Sequence, residues 1–169
     1  MNESAADVAR LQSLLDRSAT KGGPHLRRTF QVPEHAVTAE KLVRYWGGGK
    51  AFALATVTAN GEPRVAPVGV LLEQAHLYVP TAGDSGHVAH IVRNPAVSLT
   101  HWVDDLVAII IHGKGALIHR ESADYPALAE IVRATWWRDL HHARNGAFLR
   151  IDADVLYSWA HDPSSFMQS

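Results

Sequence analysis

Two histidines, His87 and His90, stand three residues apart in the segment 83-GDSGHVAHIVRNPAVSL-99, with Thr81 just ahead of it. Side chains at i and i+3 of a helix share a face, and two neutral imidazoles so placed can ligate a transition metal. No third ligand is obvious nearby, so polar residues on a solvated face are the simpler account. The glycines and hydroxyls suggest a second chemistry. Gly83-Asp84-Ser85-Gly86 reads as a turn that leads into a helix starting near Gly86. A helix N-terminus presents unpaired N–H groups and the positive end of its dipole. Together with the hydroxyls of Thr81 and Ser85 it would make a phosphate cradle, to which His87 could donate. An ordinary turn with an N-cap accounts for the same residues.

Elsewhere the chemistry-bearing residues say less. His141-His142 fall at a helix end, where the dipole favours imidazole. Trp136-Trp137-Arg138 lie late in the same helix; adjacent residues face different ways, so one Trp can be core while the other meets a ligand or partner. No Ser-His-Asp or paired-carboxylate arrangement is recognisable.

The elements that must position these residues can be read from periodicity. Residues 3–17 have apolar Val8, Leu11, Leu14 and Leu15 at helical spacing behind a Ser/Asp start. Residues 18–37, with Gly22-Gly23-Pro24 and Pro33, read as a connecting loop. Thr38 is the N-cap of a short helix that Gly47-Gly48-Gly49 stops after Trp46. A β-rich part follows. Ala51–Thr58 is a strand, 59-ANGE-62 a hairpin turn, and Arg64–Leu72 the return strand. Pro63 and Pro67 predict an edge or irregular pairing there. Glu73-Gln74 is a second tight turn before the strand His76–Pro80. The helix of the opening segment runs to about Arg93 and breaks at Asn94-Pro95. Strands follow at Ala96–Trp102 and Leu106–His119, the second with Gly113 and Gly115 permitting a bulge. Ser122 caps a helix from about Ala123 to Leu140, and Ala147–Ile151 and Val155–Trp159 are two short final strands. Strands in meander order with few crossovers argue for a small antiparallel barrel flanked by helices, not a parallel α/β sheet. The division expected is an N-terminal helix and connecting loop over 1–37 and a barrel domain over 38–169.

Composition narrows the function classes. With 169 residues and 47% hydrophobic content the chain suits one domain with an ordinary core. Sixteen basic and seventeen acidic residues leave a formal charge of −1, so nothing points to nucleic acid. The absence of cysteine excludes disulfides, thiolate zinc sites and cysteine nucleophiles. The apolar run Leu106–Ile111 falls far short of the ~20 residues that span a bilayer. Glu3 and Asp7 stand where a signal peptide would be apolar. The expectation is a soluble cytoplasmic protein. Eleven histidines are a surplus for this length.

Five pieces of the chain carry a resemblance. They are 53-ALATV-57, 60-NGEP-63, 65-VAPV-68, 77-LYV-79 and 93-RNPAVSL-99. In this order and spacing they resemble the pyridoxamine 5′-phosphate oxidase-like family of flavin-binding split β-barrels, most clearly over residues 40–120. The resemblance implies a mainly β, antiparallel split barrel of six to seven strands with flanking helices. It further implies a homodimer with two cofactor sites at the interface, and an oxidoreductase that passes a hydride between the cofactor and a small-molecule substrate. The implied cofactor is FMN. A deazaflavin, coenzyme F420, is the alternative, and haem is a further one, in a binding module without redox turnover. By the same match Thr81, Ser85 and His87, with His90, would address the cofactor phosphate. Arg64, Val65, Pro67 and Val68 would lie along the ring, where Arg64 and Trp136 or Trp137 could shape the substrate mouth. Tyr78 and His87 are the candidates for an acid or base. Relatives commonly carry Lys where His87 stands and Asn where His90 stands. Neutral imidazole in place of a permanent cation implies a weaker hold on a dianionic phosphate.

Overall fold

A computed structural model describes residues 3–135, 145–164 and 166. Its framework follows from alternation. In β1 (Lys50–Val57), Phe52, Leu54 and Thr56 are buried while Ala53 and Ala55 are not, so every second side chain enters the core. The same period runs through β4 (Ala96–Val103), which buries Val97, Leu99 and His101, and β5 (Val107–Ile118), which buries Val107, Ile109 and Ile111. With β2 (Pro63–Glu73), β3 (His76–Ala82) and β6 (Gly146–Ala160), these strands close into an antiparallel barrel in the order β1-β2-β3-β6-β5-β4.

The barrel is split on one side. β2 pairs with β1 over its whole first part, from Val57↔Pro63 to Lys50↔Val70. It meets β3 only at Leu71↔Tyr78, Leu72↔Leu77 and Glu73↔His76. Beyond those rungs β3 follows β6, pairing from Leu77↔Ile151 to Ala82↔Gly146. The stretch of β2 that holds Pro63 and Pro67 therefore has an open edge, as its prolines imply. Helix α4 (Gly86–Arg93) sends Val88 and Ile91 into the main core.

The hairpin turns show two chemistries. The β1–β2 connection closes on Thr58 N–H to Glu62 O (2.9 Å), with Gly61 at φ +80°, where only glycine sits without strain. The β2–β3 turn is centred on Gln74 and Ala75, one residue later than expected, and both are left-handed (φ +52° and +58°). Neither residue favours that region, and the cost is about 1 kcal/mol each.

Three further expectations are corrected. The last two strands are one fifteen-residue strand, β6. Its ladder with β5 jumps from His112↔Val155 to Gly113↔Ala153, so Asp154 is accommodated as a bulge and the pairing resumes beyond it. The close approach there needs glycine, because a Cβ on Gly113 would collide with the Asp152 carbonyl. Second, residues 18–37 are not simply loop. Helix α1 (Ala5–Lys21) runs four residues longer than its apolar period, and α2 (Pro24–Thr29) follows with Pro24 in its first turn, where a missing N–H costs nothing. Third, the described part of α5 (Tyr125–Thr135) begins three residues beyond Ser122, with Pro126 in its first turn. The expected continuation to Leu140, with Trp136, Trp137 and Arg138, and the pair His141-His142 lie outside the described residues.

Helices seal the barrel. Ser4 caps α1 in a reciprocal box with Asp7, and Leu11 and Leu15 join the barrel core. Ser18 staples α1 to β6: its hydroxyl donates to Leu14 O (2.7 Å) and accepts the Leu156 N–H (2.9 Å). Helix α3 (Ala39–Trp46) starts at Thr38, whose hydroxyl accepts the Lys41 N–H, and buries Trp46 with its indole N–H on Val70 O (2.8 Å). Helix α5 forms a second cluster with Leu71, Ile118 and Phe148. No helix among the described residues is long and apolar enough to cross a membrane.

Candidate functional site

The split between β2 and β3 leaves the end of β3 and the first turn of α4 side by side, and the sequence fills that corner with hydroxyls and imidazoles. Ser85 is the N-cap of α4 with the extended backbone of a cap, yet its hydroxyl bonds to no N–H of the helix. It turns to His87 Nε2 (3.1 Å) and Thr81 Oγ1 (3.1 Å), and Thr81 Oγ1 lies 2.7 Å from the same Nε2. Three side chains thus converge in a closed triangle, and the first turn of α4 keeps its N–H groups clear of any side-chain cap. The adjoining loop is held by Gly83 N–H to Asn145 O (2.7 Å) and Ser85 N–H to Ala82 O (3.0 Å).

Desolvation is the main cause that pulls the His87 pKa below its ordinary value, and the neighbouring His90 adds to it. The ring is therefore neutral near pH 7 in the free protein. A phosphate at this corner would oppose both effects, because an anion favours the imidazolium. His90 faces a different neighbour: its Nδ1 is 2.9 Å from Thr56 Oγ1, a hydroxyl 3% exposed on the inward side of β1. The two histidines tie α4 to β3 and to β1 respectively. Each already holds a hydroxyl, and among the described residues no three His, Asp or Glu side chains converge on a point.

The β2 residues are distributed by the pleat. Val65 (68% exposed) and Pro67 are exposed on the outer face, while Val68 packs against the core. Arg64 is engaged locally, with Glu62 (2.6 Å) and Pro63 O (3.0 Å). Thr81, Ser85 and His87 are brought together, then, whereas no hydrogen bond or ion pair joins them to Arg64, Val65, Pro67 or Val68 among the described residues. What these β2 residues share is the open backbone edge, whose N–H and C=O groups can serve the polar rim of a planar heterocycle. Tyr78 lies elsewhere, against the α5 cluster, and burial raises its pKa.

The outer face continues from Val65 across the barrel. Val65↔Ala55, Ala55↔Ser98, Ser98↔His112 and His112↔Val155 form one row over five strands. Ser98 Oγ and His112 Nδ1 are 2.8 Å apart in that row. Trp102 (61% exposed), four residues further along β4 with the same outward period, and Leu106 (47% exposed) in the β4–β5 turn also stand in solvent.

Sequence reading missed one polar pair entirely. His101 is 8% exposed, with Nδ1 on Ala51 O (2.8 Å) and Nε2 on Tyr45 Oη (2.7 Å). The carbonyl can only accept, so Nδ1 carries the proton and Tyr45 donates to Nε2. The signal was present: His101 follows Val97 and Leu99 in the inward-facing period of β4.

The class that the fold defines is an antiparallel split β-barrel with flanking helices. The family profile of pyridoxamine 5′-phosphate oxidase matches residues 38–160, and the chain belongs to that family. No curated protein matches it. Among solved structures, the conserved hypothetical protein Rv2991 from Mycobacterium tuberculosis superposes with a TM-score of 0.63 at 15% identity, covering 79% of this chain and 91% of its own. The haem storage protein HutZ from Vibrio cholerae gives 0.58 at 18% identity (68% and 87% covered). An F420 reductase gives 0.51 at 16% identity (63% and 87% covered). At these identities the structures share the fold.

Proposed function

We propose that the protein is a homodimeric oxidoreductase that binds FMN and passes a hydride between it and a small planar substrate. The observation that carries this reading is the convergence of Thr81, Ser85 and His87 at the uncapped first turn of α4. Two hydroxyls, an imidazole and free helix N–H groups suit a phosphate monoester. In this reading Thr81 and Ser85 give up their mutual hydrogen bond to donate to phosphate oxygens, and His87 takes up a proton and donates through Nε2. The open edge of β2 from Pro63 to Val70 orients the ring, with Val65 and Pro67 against it. The flavin, when bound, supplies the hydride acceptor or donor.

The homodimer rests on the outer face. Large apolar side chains exposed there, Val65 on β2, Trp102 on β4 and Leu106 in the β4–β5 turn, are of the kind that marks an interface. A partner seated there would close the ring site, which one chain leaves open.

An absorbance spectrum of the purified protein, with mass spectrometry of what co-purifies, tests the reading. FMN gives a band at about 450 nm, coenzyme F420 at about 420 nm and haem a Soret band at about 400 nm. The last two would move the protein toward the F420 reductase or the haem storage protein among its structural neighbours. A colourless protein that perturbs none of the three when they are added would overturn cofactor binding altogether.

A further inference from the structure

A second concave region lies away from the corner just described. A cavity of about 260 Å³ opens between α1, α2, the 30–38 segment and β6. Leu15, Ala19, Leu26, Phe30, Val37 and Leu156 make its apolar walls. Most of this lining precedes residue 38, where the family match begins, so the cavity lies largely in a part of the chain outside that match.

Two observations separate it from an ordinary packing gap. The first is its roof. Helix α2 buries none of its six residues, and Leu26 on it and Phe30 at its C-cap, the apolar side chains over the cavity, are only partly covered. A segment that has ordered without a core of its own gains one when the void beneath it is filled. The second is the polar rim. Gln12 is engaged at both ends, accepting the Ala39 N–H (2.8 Å) and donating to Asp16 Oδ1 (2.8 Å). The Ser158 hydroxyl is used on Val37 O (2.9 Å). Asp16 keeps Oδ2 without a partner among the described residues, so the rim offers one negative acceptor.

We propose that this cavity is a second ligand site, taking a small aromatic molecule that is neutral or cationic. Size supports the choice: an apolar cavity of about 150 Å³ takes up benzene, and this one is larger. Charge supports it too, because Asp16 attracts an N–H or ammonium group and repels a carboxylate. The site does not depend on the cofactor reading.

The test uses the whole protein with indole, benzylamine and benzoate as probes, followed by thermal unfolding in circular dichroism and by ligand-detected NMR. Indole and benzylamine are expected to raise the melting temperature saturably, and benzoate is not. Ala19→Phe, which places a ring in the void, should weaken indole by at least about tenfold. Ala19→Leu should weaken it less, and serves if the larger residue impairs folding. Asp16→Asn should abolish the preference for benzylamine over benzoate. Absence of any saturable indole effect on the wild-type protein, as when a second copy covers the opening, overturns the proposal. So does indole binding that neither Ala19 variant changes, which would place the probe on the outer face or in the cofactor corner.

Discussion

His87 and His101 are both held neutral chiefly by desolvation, and they serve opposite ends. His101 sits in the core with both nitrogens committed, Nδ1 to Ala51 O and Nε2 to Tyr45, between the rings of Tyr45 and Phe52. Its tautomer is fixed by a carbonyl that cannot rotate away. His87 gives one nitrogen to two hydroxyls, each of which can turn and either donate or accept. A buried imidazole with rigid partners is a strut. One with rotatable partners at a helix N-terminus can exchange them for a ligand. The partners, not the direction of the pKa shift, distinguish structure from function.

Substitution should separate the two sharply. His101→Ala leaves a void and unpairs both the Tyr45 hydroxyl and the Ala51 carbonyl, an expected loss of about 3 kcal/mol in urea unfolding. His87→Ala should cost less than about 1 kcal/mol, since its neighbours can turn to water, while weakening FMN. Equal losses of stability in the two variants would erase the distinction. A smaller effect sharpens the functional half. His87→Lys supplies a permanent cation and should tighten FMN by about 1–2 kcal/mol in a fluorescence titration. Wild-type affinity should fall as pH rises and His87 becomes harder to protonate, and the lysine variant should lose that dependence. An unchanged affinity would remove His87 from the phosphate.

The smallest effect lies in the acid limb of stability. Both histidines have folded pKa values below the ordinary 6.5. The unfolded chain therefore binds protons first, so the stability each contributes is complete above pH 6.5 and is lost as pH falls toward and through the lowered folded value. Urea midpoints at neutral and mildly acid pH should show a decline that His101→Ala flattens more than His87→Ala. The reverse order would mean that His87 is the better buried of the two.

Local rules reached far into this molecule. Strand-forming runs bounded by turn signals located the first five strands to within one or two residues, Asn60-Gly61 located the first hairpin, and Thr38 with Gly47 bounded α3. The turn and helix from Gly83 to Arg93 were also legible, because glycine and a cap punctuate them. Pairing between distant residues was not. The bulge at Asp154 could be seen only once β5 lay beside β6, and without it Asp152-Ala153-Asp154 looks like a break between strands. Thr81 and Ser85 could be named as hydroxyls near a helix start, but their triangle with His87 depends on how β3 leaves β2. His101 was overlooked because a histidine was judged by its neighbours in sequence instead of by its inward place in β4. The cavity under α2 was illegible because residues 18–37 contain more turn signals than apolar period, so nothing there announces a wall.

The open edge of β2 carries one more consequence. A barrel closed on itself has no exposed rungs to recruit a foreign strand, and this barrel is paired over only three rungs between β2 and β3, as it is between β1 and β4. Such a gap invites runaway pairing between molecules. Pro63 and Pro67 are four residues apart, so their nitrogens face the same edge, and neither brings an N–H to it. The strand can still meet a flat ring or a folded partner, yet it makes a poor template for another chain's β-strand. Replacing these prolines would unblock the seam along which the protein is most exposed to aggregation.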